Sequence, residues 1–178
     1  MVVLFLADGF EEIEALCPLD LLRRAGVETV TVGLGKKTVT GAHGIVVQAD
    51  TDVLPEGKLD MVILPGGMPG AANLDASGTV TEALARADAE DGYLAAICAA
   101  PMVLGHRGYL NGRNAVCFPG FEDQLTGATV ESDAFVVRDG NIITAKGMGV
   151  ALEFGLALVA ALCGEDTAAK LRAAVMAP

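Results

Sequence analysis

Cys98 stands where a short apolar run gives way to a helix-like one, a placement that can make a thiol reactive. Residues 93–97 (YLAAI) follow a glycine and are typical of a buried strand in a parallel sheet. Residues 99–104 then predict a helix, with Pro101 in its first turn, where a missing N–H does no harm. A side chain at this junction projects from the carboxyl end of the sheet, beside free N–H groups that favour a thiolate. The alternative is that Cys98 simply fills the core.

Glu14 is the second residue that could do chemistry. A capping-box spacing just after the first apolar run predicts a helix over residues 8–25. On a helical wheel an apolar arc is defined by Ile13, Cys17, Leu21 and Ala25. Glu14 falls inside this arc, whereas Glu11 and Glu12 fall outside it. A carboxyl group that faces a core must be protonated, paired or hydrogen-bonded. In the alternative interpretation the helix begins at Pro18 and Glu14 lies in a solvated turn.

A glycine-rich turn adds possible backbone donors. Residues 59–65 predict a buried strand that ends in Gly66-Gly67-Met68-Pro69-Gly70. Consecutive glycines at such a strand end let N–H groups turn toward a ligand, as in an anion-holding nest. The spacing does not fit the G-x-G-x-x-G fingerprint of dinucleotide-binding proteins.

Neither histidine is an obvious base for the thiol. His106 comes at the end of the helix that follows Cys98, about 12 Å further along its axis, and is predicted to cap that end. His43 lies in a predicted hairpin-like excursion over residues 38–48 and could approach Cys98 only through the tertiary fold.

The elements that must position these residues alternate along the chain. Buried strands are predicted over residues 2–7, 27–34, 59–65 and 93–97, and helices over residues 8–25, 79–91, 99–104, 150–163 and 168–176. Asp139-Gly140 predicts a further hairpin within residues 135–145. The strand, helix, strand order predicts an α/β fold with a mainly parallel sheet in a single domain, residues 1–178. The apolar helix over residues 150–163 should cover that sheet or meet a second subunit.

Composition excludes several classes of protein. A formal net charge of −11 without a large basic cluster argues against stable nucleic-acid binding. The four cysteines contain no C-x-x-C pair, which argues against a zinc site and against a disulfide framework. No apolar run reaches the roughly 18 residues of a membrane span, and the first residues are typical of a strand rather than a signal peptide. We therefore expect a cytoplasmic protein with free thiols and no metal.

Several short motifs, taken in order, resemble those of the ThiJ/PfpI superfamily, and most closely its branch of Parkinsonism-associated DJ-one proteins. They span nearly the whole chain and are Gly9-Phe10-Glu11-Glu12-Ile13-Glu14, Arg23-Arg24-Ala25-Gly26, Leu64-Pro65-Gly66-Gly67, Ala95-Ala96-Ile97-Cys98-Ala99-Ala100-Pro101 and Gly147-Met148-Gly149. The resemblance implies a flavodoxin-like three-layer sandwich with a nucleophile elbow, as in class I glutamine amidotransferases. It also implies a homodimer that needs no cofactor.

The resemblance also assigns roles to residues. Cys98 matches the nucleophile, and Glu14 matches a protonated glutamate that is hydrogen-bonded to the thiolate. Backbone N–H groups matching Gly67 and Ala99 would hold an oxyanion. Further candidates for lining the site are Gly66, His43, Phe118, Cys17 and Arg24.

Some positions depart from the family pattern. The protease-like branch has a histidine directly after the cysteine, where this chain has Ala99, so peptidase activity is disfavoured. Phe118 replaces a histidine near the cysteine of DJ-one proteins, and His43 stands where they carry an arginine. Met148 replaces the proline expected in the Gly-x-Gly loop. These departures affect substrate range more than chemistry.

Two functions fit these residues. The first is a cofactor-independent glyoxalase or protein deglycase, acting on 2-oxoaldehydes such as methylglyoxal or on glycated protein side chains. The second is an oxidative-stress sensor or redox-regulated chaperone that is switched by oxidation of Cys98. Cys17 could serve as a resolving thiol in that switch, although core filling explains it better, because free cysteine is often buried. Cys117 is a second candidate for the same role.

Overall fold

Short apolar runs form the strands of the structure, a computed structural model that describes residues 1–178. The strands are β1 (Val2–Leu6), β2 (Thr29–Gly33), β3 (Thr38–Thr40), β4 (Val46–Gln48), β5 (Met61–Leu64), β6 (Tyr93–Ile97), β7 (Asn114–Ala115), β8 (Thr129–Val130), β9 (Val136–Asp139) and β10 (Ile142–Ala145). The helices are α1 (Glu12–Arg24), α2 (Gly70–Asp75), α3 (Gly78–Ala89), α4 (Pro101–His106), α5 (Ala151–Cys163) and α6 (Glu165–Ala174). None of these helices is long and apolar enough to cross a membrane.

Six strands form one central sheet in the order β2-β1-β5-β6-β10-β9. All neighbours are parallel except β9, which pairs antiparallel with β10 through the predicted Asp139-Gly140 hairpin. The chain order reverses between β1 and β5, a switch point at which ligands bind in open α/β sheets. Gly66 and Cys98 follow the carboxyl ends of β5 and β6, next to this switch point.

The side chains of each strand alternate between two apolar layers. Val3 and Phe5 point into the layer covered by α2, α3 and α4, while Leu4 points into the layer covered by α1, α5 and α6. This arrangement is the flavodoxin-like three-layer sandwich that the sequence predicts, with α5 covering the sheet through Phe154 and Leu158.

Helix α1 differs from its prediction in two respects. Asp8 does not cap it, because its carboxylate instead accepts a hydrogen bond from the Thr40 N–H at 3.0 Å and pairs with Lys36 at 2.6 Å. The helix begins at Glu12 and continues without a break through Pro18. The capping-box prediction is wrong, and so is the alternative that the helix begins at Pro18.

The buried face of α1 is also rotated relative to the predicted arc. Ile13, the first residue of that arc, is 50% exposed and lies on the outward face with Asp20 and Arg24, whereas Glu12 is only 4% exposed. The inward face belongs to Glu14, Ala15, Pro18, Leu21 and Leu22. The wheel was misleading because α1 packs between the sheet and α5, so that most of its circumference is buried whatever its polarity.

Candidate active site

Cys98 occupies a sharp turn between β6 and α4. Its φ of +65° lies in the left-handed region, which a residue with a side chain seldom adopts. The backbone is fixed from both sides, because the Cys98 N–H donates to the Ala145 carbonyl and the Cys98 carbonyl accepts from the Phe118 N–H, both at 2.9 Å. The turn therefore lifts a half-buried thiol off the end of the sheet.

Glu14 is fully buried, with 0% of its surface exposed, on the first turn of α1. Its Oε2 accepts a hydrogen bond from the Gly66 N–H at 2.9 Å, while its Oε1 is buried with no hydrogen-bond partner. Burial raises the pKa of this carboxyl from 4.5 to about 7, against the opposing effects of Cys98 and Gly66. Glu14 can consequently hold or release a proton near neutral pH.

Gly66 lies between the thiol and the carboxyl group. A Cβ at this position would lie 2.6 Å from both the Cys98 Cβ and the Glu14 Oε2, closer than real Cβ atoms approach their neighbours. Gly67 has a φ of +85° and packs against the Glu11 N–H. The two glycines let β5 and the start of α1 approach Cys98 closely, and no other residue type fits between them.

The pKa of Cys98 departs from the prediction. Burial, followed by the negative charge of Glu14, raises the pKa of the thiol to about 12, although the Gly67 and Ala99 N–H groups act to lower it. The N–H group at the helix start does act in the predicted direction, but burial of the thiol outweighs it, so the prediction of a thiol that loses its proton more readily is wrong. Protonation of Glu14 removes the repulsion but not the effect of burial, so the protonation states of the two groups depend on each other.

His43 is joined to the start of α1 rather than to the thiol. Its Nδ1 lies 2.9 Å from Glu12 Oε2 and 3.7 Å from Glu11 Oε1, and its backbone N–H donates to Glu12 Oε1 at 2.8 Å. The hydrogen bond with Glu12 raises the pKa of His43. Burial acts to raise the pKa of Glu12, but its bonds to His43 and Ile45 bring it below its ordinary value.

The same three side chains are the one group that could ligate a metal ion. The donor atoms of Glu11, Glu12 and His43 lie within 4.8 Å of one another. Both oxygens of Glu12 are already bonded, to His43 and Ile45, so an ion would have to displace those contacts. The arrangement fits a carboxylate that orients a histidine better than a preformed metal site.

Phe118 and Met148 form an apolar wall next to the thiol. Phe118 is bonded through its backbone to Cys98, and the Met148 backbone lies close enough to Glu14 to lower the pKa of that carboxyl. Both side chains are about half exposed, at 48% and 50%. Both positions depart from the family pattern described above. That the two side chains line one wall was not predicted from the sequence.

Three of the predicted site residues have surroundings of their own and no bond to Cys98 or Glu14. Arg24, ten residues beyond Glu14 on α1, makes an exposed ion pair with Asp20 at 2.6 Å and does not line the site. Cys17 is half-buried against the core, and burial raises its pKa. Cys117 is buried with its pKa raised by burial to about 11, and all four cysteines are free thiols.

His106 does not cap α4 as predicted. Its Nδ1 lies 2.9 Å from Asp75 Oδ2 and its Nε2 lies 3.0 Å from Gln124 Oε1, so both ring nitrogens face other side chains. Arg107 instead donates to the Val103 carbonyl at 3.0 Å. The cation at this helix end is thus supplied by the next residue.

The burial of Glu12 and the position of Phe135 were not predicted from the sequence. Glu12 is buried because the loop after β3 folds over it, and a Cβ on Gly41 would lie 2.3 Å from its Oε1. That glycine was the one available signal, and it has meaning only once the loop is known to cover α1. Phe135 is 63% exposed beside Phe118, a contact between segments distant in sequence.

Known proteins are similar to this chain in sequence and in fold over nearly its full length. Residues 1–161 match the DJ-1/PfpI family. The Parkinson disease protein 7 homolog of Danio rerio is 37% identical over 177 residues, covering 96% of this chain and 94% of that protein. The deglycase PH1704 of Pyrococcus horikoshii is 36% identical over 153 residues, covering 82% and 90%. The solved structure of oxidized Toxoplasma gondii DJ-1 superposes with a TM-score of 0.93 at 35% identity, covering 98% and 97%. The chain belongs to the DJ-1/PfpI family.

Proposed function

We propose that the protein is a cofactor-independent glyoxalase or protein deglycase, which converts 2-oxoaldehydes such as methylglyoxal, or their adducts, through a Cys98 nucleophile. The observation that carries the proposal is the buried Glu14 Oε1, which has no partner and belongs to a carboxyl group with a pKa of about 7 beside the thiol. An unpartnered buried oxygen is costly unless it is used in function. The deglycase name of the Pyrococcus horikoshii relative supports the same chemistry.

The first step joins the thiol to the aldehyde carbon. The Glu14 carboxylate accepts the proton of Cys98 as sulfur attacks, which removes the barrier set by the high pKa of the thiol. Glu14 then passes this proton to the aldehyde oxygen, which becomes the hydroxyl group of a hemithioacetal, and Glu14 is a carboxylate again. The N–H groups of Gly67 and Ala99, which already lower the pKa of the sulfur, stabilise charge on that oxygen.

The second step moves one proton between adjacent carbons. Glu14 removes the proton from the former aldehyde carbon and returns one to the former ketone carbon, so that the hemithioacetal becomes a thioester of a 2-hydroxy acid. Water then cleaves the thioester, releasing the hydroxy acid and restoring the thiol. The sum is addition of one water to the 2-oxoaldehyde, with no external oxidant or reductant, and a carboxyl pKa near 7 suits a group that must both accept and donate.

Formation of lactate from methylglyoxal, without added cofactor or metal, tests this proposal. We expect turnover by the native chain and its loss in Cys98→Ser and Glu14→Gln. Cys163→Ser removes an exposed thiol far along the chain and is the matched control, expected to behave as native. Absence of turnover by a folded native chain, or unchanged turnover in Glu14→Gln, contradicts the proposal.

A second candidate function is an oxidation switch at the same cysteine. The relative from Toxoplasma gondii was solved in an oxidized form, and a protonated Glu14 could donate a hydrogen bond to an oxidised sulfur of Cys98. Mass spectrometry after a peroxide titration should then find Cys98 oxidised before Cys17, Cys117 and Cys163. Equal oxidation of exposed Cys163 would remove this candidate.

We further propose that the protein is a homodimer. Three large apolar side chains stay exposed on α1 and on the hairpin that Glu12 joins to it: Ile13 at 50%, Ile45 at 54% and Val46 at 60%. Apolar side chains grouped on one face are typical of an interface. Sedimentation of the native chain and of Ile13→Glu tests this, and a native chain that sediments as a monomer contradicts it.

A further inference from the structure

A cavity of about 350 Å³ is walled almost entirely by apolar groups and is formed by the segments of Phe118 and Met148, whose backbones contact Cys98 and Glu14. We call it the aromatic subsite and define it by the side chains of Phe118, Phe135, Met148 and Val150, with Lys146 at its rim. A volume of this size lies within the range of pockets that hold small ligands. No carboxylate and no histidine lines it.

Two walls of the aromatic subsite extend directly from the reacting groups. Phe118 is hydrogen-bonded through its N–H to the carbonyl of Cys98 at 2.9 Å. The loop that carries Met148 follows Ala145, whose carbonyl accepts the Cys98 N–H, and the Met148 backbone lies next to the Glu14 carboxyl. A molecule bonded to the sulfur therefore has its substituent within reach of the cavity.

The only charged wall residue is already engaged. Lys146 Nζ donates to the Ser132 carbonyl at 2.6 Å and lies 5.7 Å from the centroid of the Phe135 ring. A cationic substituent would lie near the Lys146 charge and against apolar walls, where no carboxylate is available to pair with it. The cavity thus favours neutral apolar groups and disfavours the side chains of glycated lysine or arginine.

We propose that the aromatic subsite binds the substituent on the ketone carbon of a free 2-oxoaldehyde, and that the preferred substrates carry a neutral aryl or branched alkyl group. The inference rests on the proposed function and narrows its substrate class. Its physical basis is that an aryl group gains contact with two aromatic rings and a thioether, whereas the methyl group of methylglyoxal leaves most of the cavity filled with water.

The test compares phenylglyoxal with methylglyoxal. Because the two aldehydes differ in intrinsic reactivity, the quantity to follow is the ratio of their kcat/KM values and its change on mutation. We expect Phe118→Ser and Met148→Ser each to lower the phenylglyoxal to methylglyoxal ratio about tenfold, mainly through KM. Val53→Ser removes an apolar side chain that is 69% exposed and outside the cavity, and it should leave the ratio as in the native chain. A ratio unchanged in both cavity variants overturns the inference.

A binding measurement separates failure of the subsite from failure of the proposed function. In the Cys98→Ser variant, calorimetry can compare 2-hydroxyacetophenone with hydroxyacetone, two neutral ketols that differ only in phenyl against methyl. We expect about tenfold tighter binding of the phenyl compound, lost when Phe118→Ser is added. Equal affinities overturn the subsite, whatever the activity. Absence of aldehyde turnover with tighter phenyl binding overturns the proposed function alone.

Oligomeric state supplies a last check. If Phe118→Ser makes the protein sediment as a smaller species and leaves the substrate ratio unchanged, a second copy of the chain covers this surface and the inference is overturned. If the ratio falls with no change in sedimentation, the subsite is supported.

Discussion

Glu12 and Glu14 lie two residues apart on α1 and are almost equally buried, yet their surroundings shift their pKa values in opposite directions. Glu12 has both oxygens bonded to His43 and Ile45, and its pKa lies below its ordinary value. Glu14 has one oxygen bonded to Gly66 and the other unpartnered, and its pKa is raised to about 7. Burial alone therefore does not raise the pKa of a carboxyl group, because the number of donors it meets decides whether it stays ionised.

Substitution of these two glutamates should differ most in its effect on the catalytic activity of the protein. Glu14→Gln should lower kcat/KM for methylglyoxal by about 10²–10⁴, the range for loss of a general acid–base group. Glu12→Gln keeps an oxygen that can accept from the loop and should cost less than about tenfold. Lactate assays on the two variants side by side check the comparison. Equal losses would mean that the glutamates act through shared structure and not through separate roles.

The next effect concerns the pH dependence of stability. Glu14 titrates at 4.5 in its ordinary state and at about 7 in the folded chain, so between these values the native state holds a proton that the unfolded chain releases. The free energy of unfolding therefore falls as pH rises from 4.5 to 7, by an amount on the order of 3 kcal/mol, and stays lower above that range. Glu14→Gln cannot ionise and should escape the loss.

Urea unfolding of the native chain and Glu14→Gln at pH 5 and pH 8 measures this difference. The variant should gain stability relative to the native chain at pH 8. Glu12→Gln is the control, because a glutamate with a lowered pKa does not produce a loss over this range. Parallel pH curves for all three proteins would show that Glu14 is not the group responsible.

The smallest effect tests the structural role assigned to Glu12. Glu12→Ala removes the acceptor for the His43 and Ile45 N–H groups and should lower the free energy of unfolding by about 1–2 kcal/mol. Glu11→Ala removes a carboxylate whose distance to His43 is 3.7 Å, and it should have little effect. Chemical denaturation of both variants measures the two losses in free energy of unfolding. A greater loss in Glu11→Ala than in Glu12→Ala would contradict the role assigned to Glu12.

The sheet and its order of elements could be predicted from the sequence because buried parallel strands have a local signature. Residues 2–6, 61–64 and 93–97 are short apolar runs that end at a turn, and each forms a central strand. The inward placement of Glu14 was predicted as well, although from a wheel that chose the wrong arc. A helix packed on two sides buries most of its residues, so position within a polar pattern has little meaning there.

The electrostatics of the site could not be predicted in the same way. The helix start beside Cys98 is visible in sequence, but the depth of burial and the charge of Glu14 depend on how β5, β6 and α1 meet. Glu12, Phe135 and Met148 have their roles through loops that close over distant segments. Such contacts have no local pattern, and only the tertiary structure reveals them.

The left-handed backbone at Cys98 has a consequence for the lifetime of damaged chains. A non-glycine residue in that conformation costs on the order of 1–3 kcal/mol, so the fold keeps the proposed nucleophile in place at a cost to its own stability. Replacement of the thiol by glycine would relieve that strain while removing the chemistry. A chain with Cys98→Gly should therefore escape the quality control that removes unstable proteins.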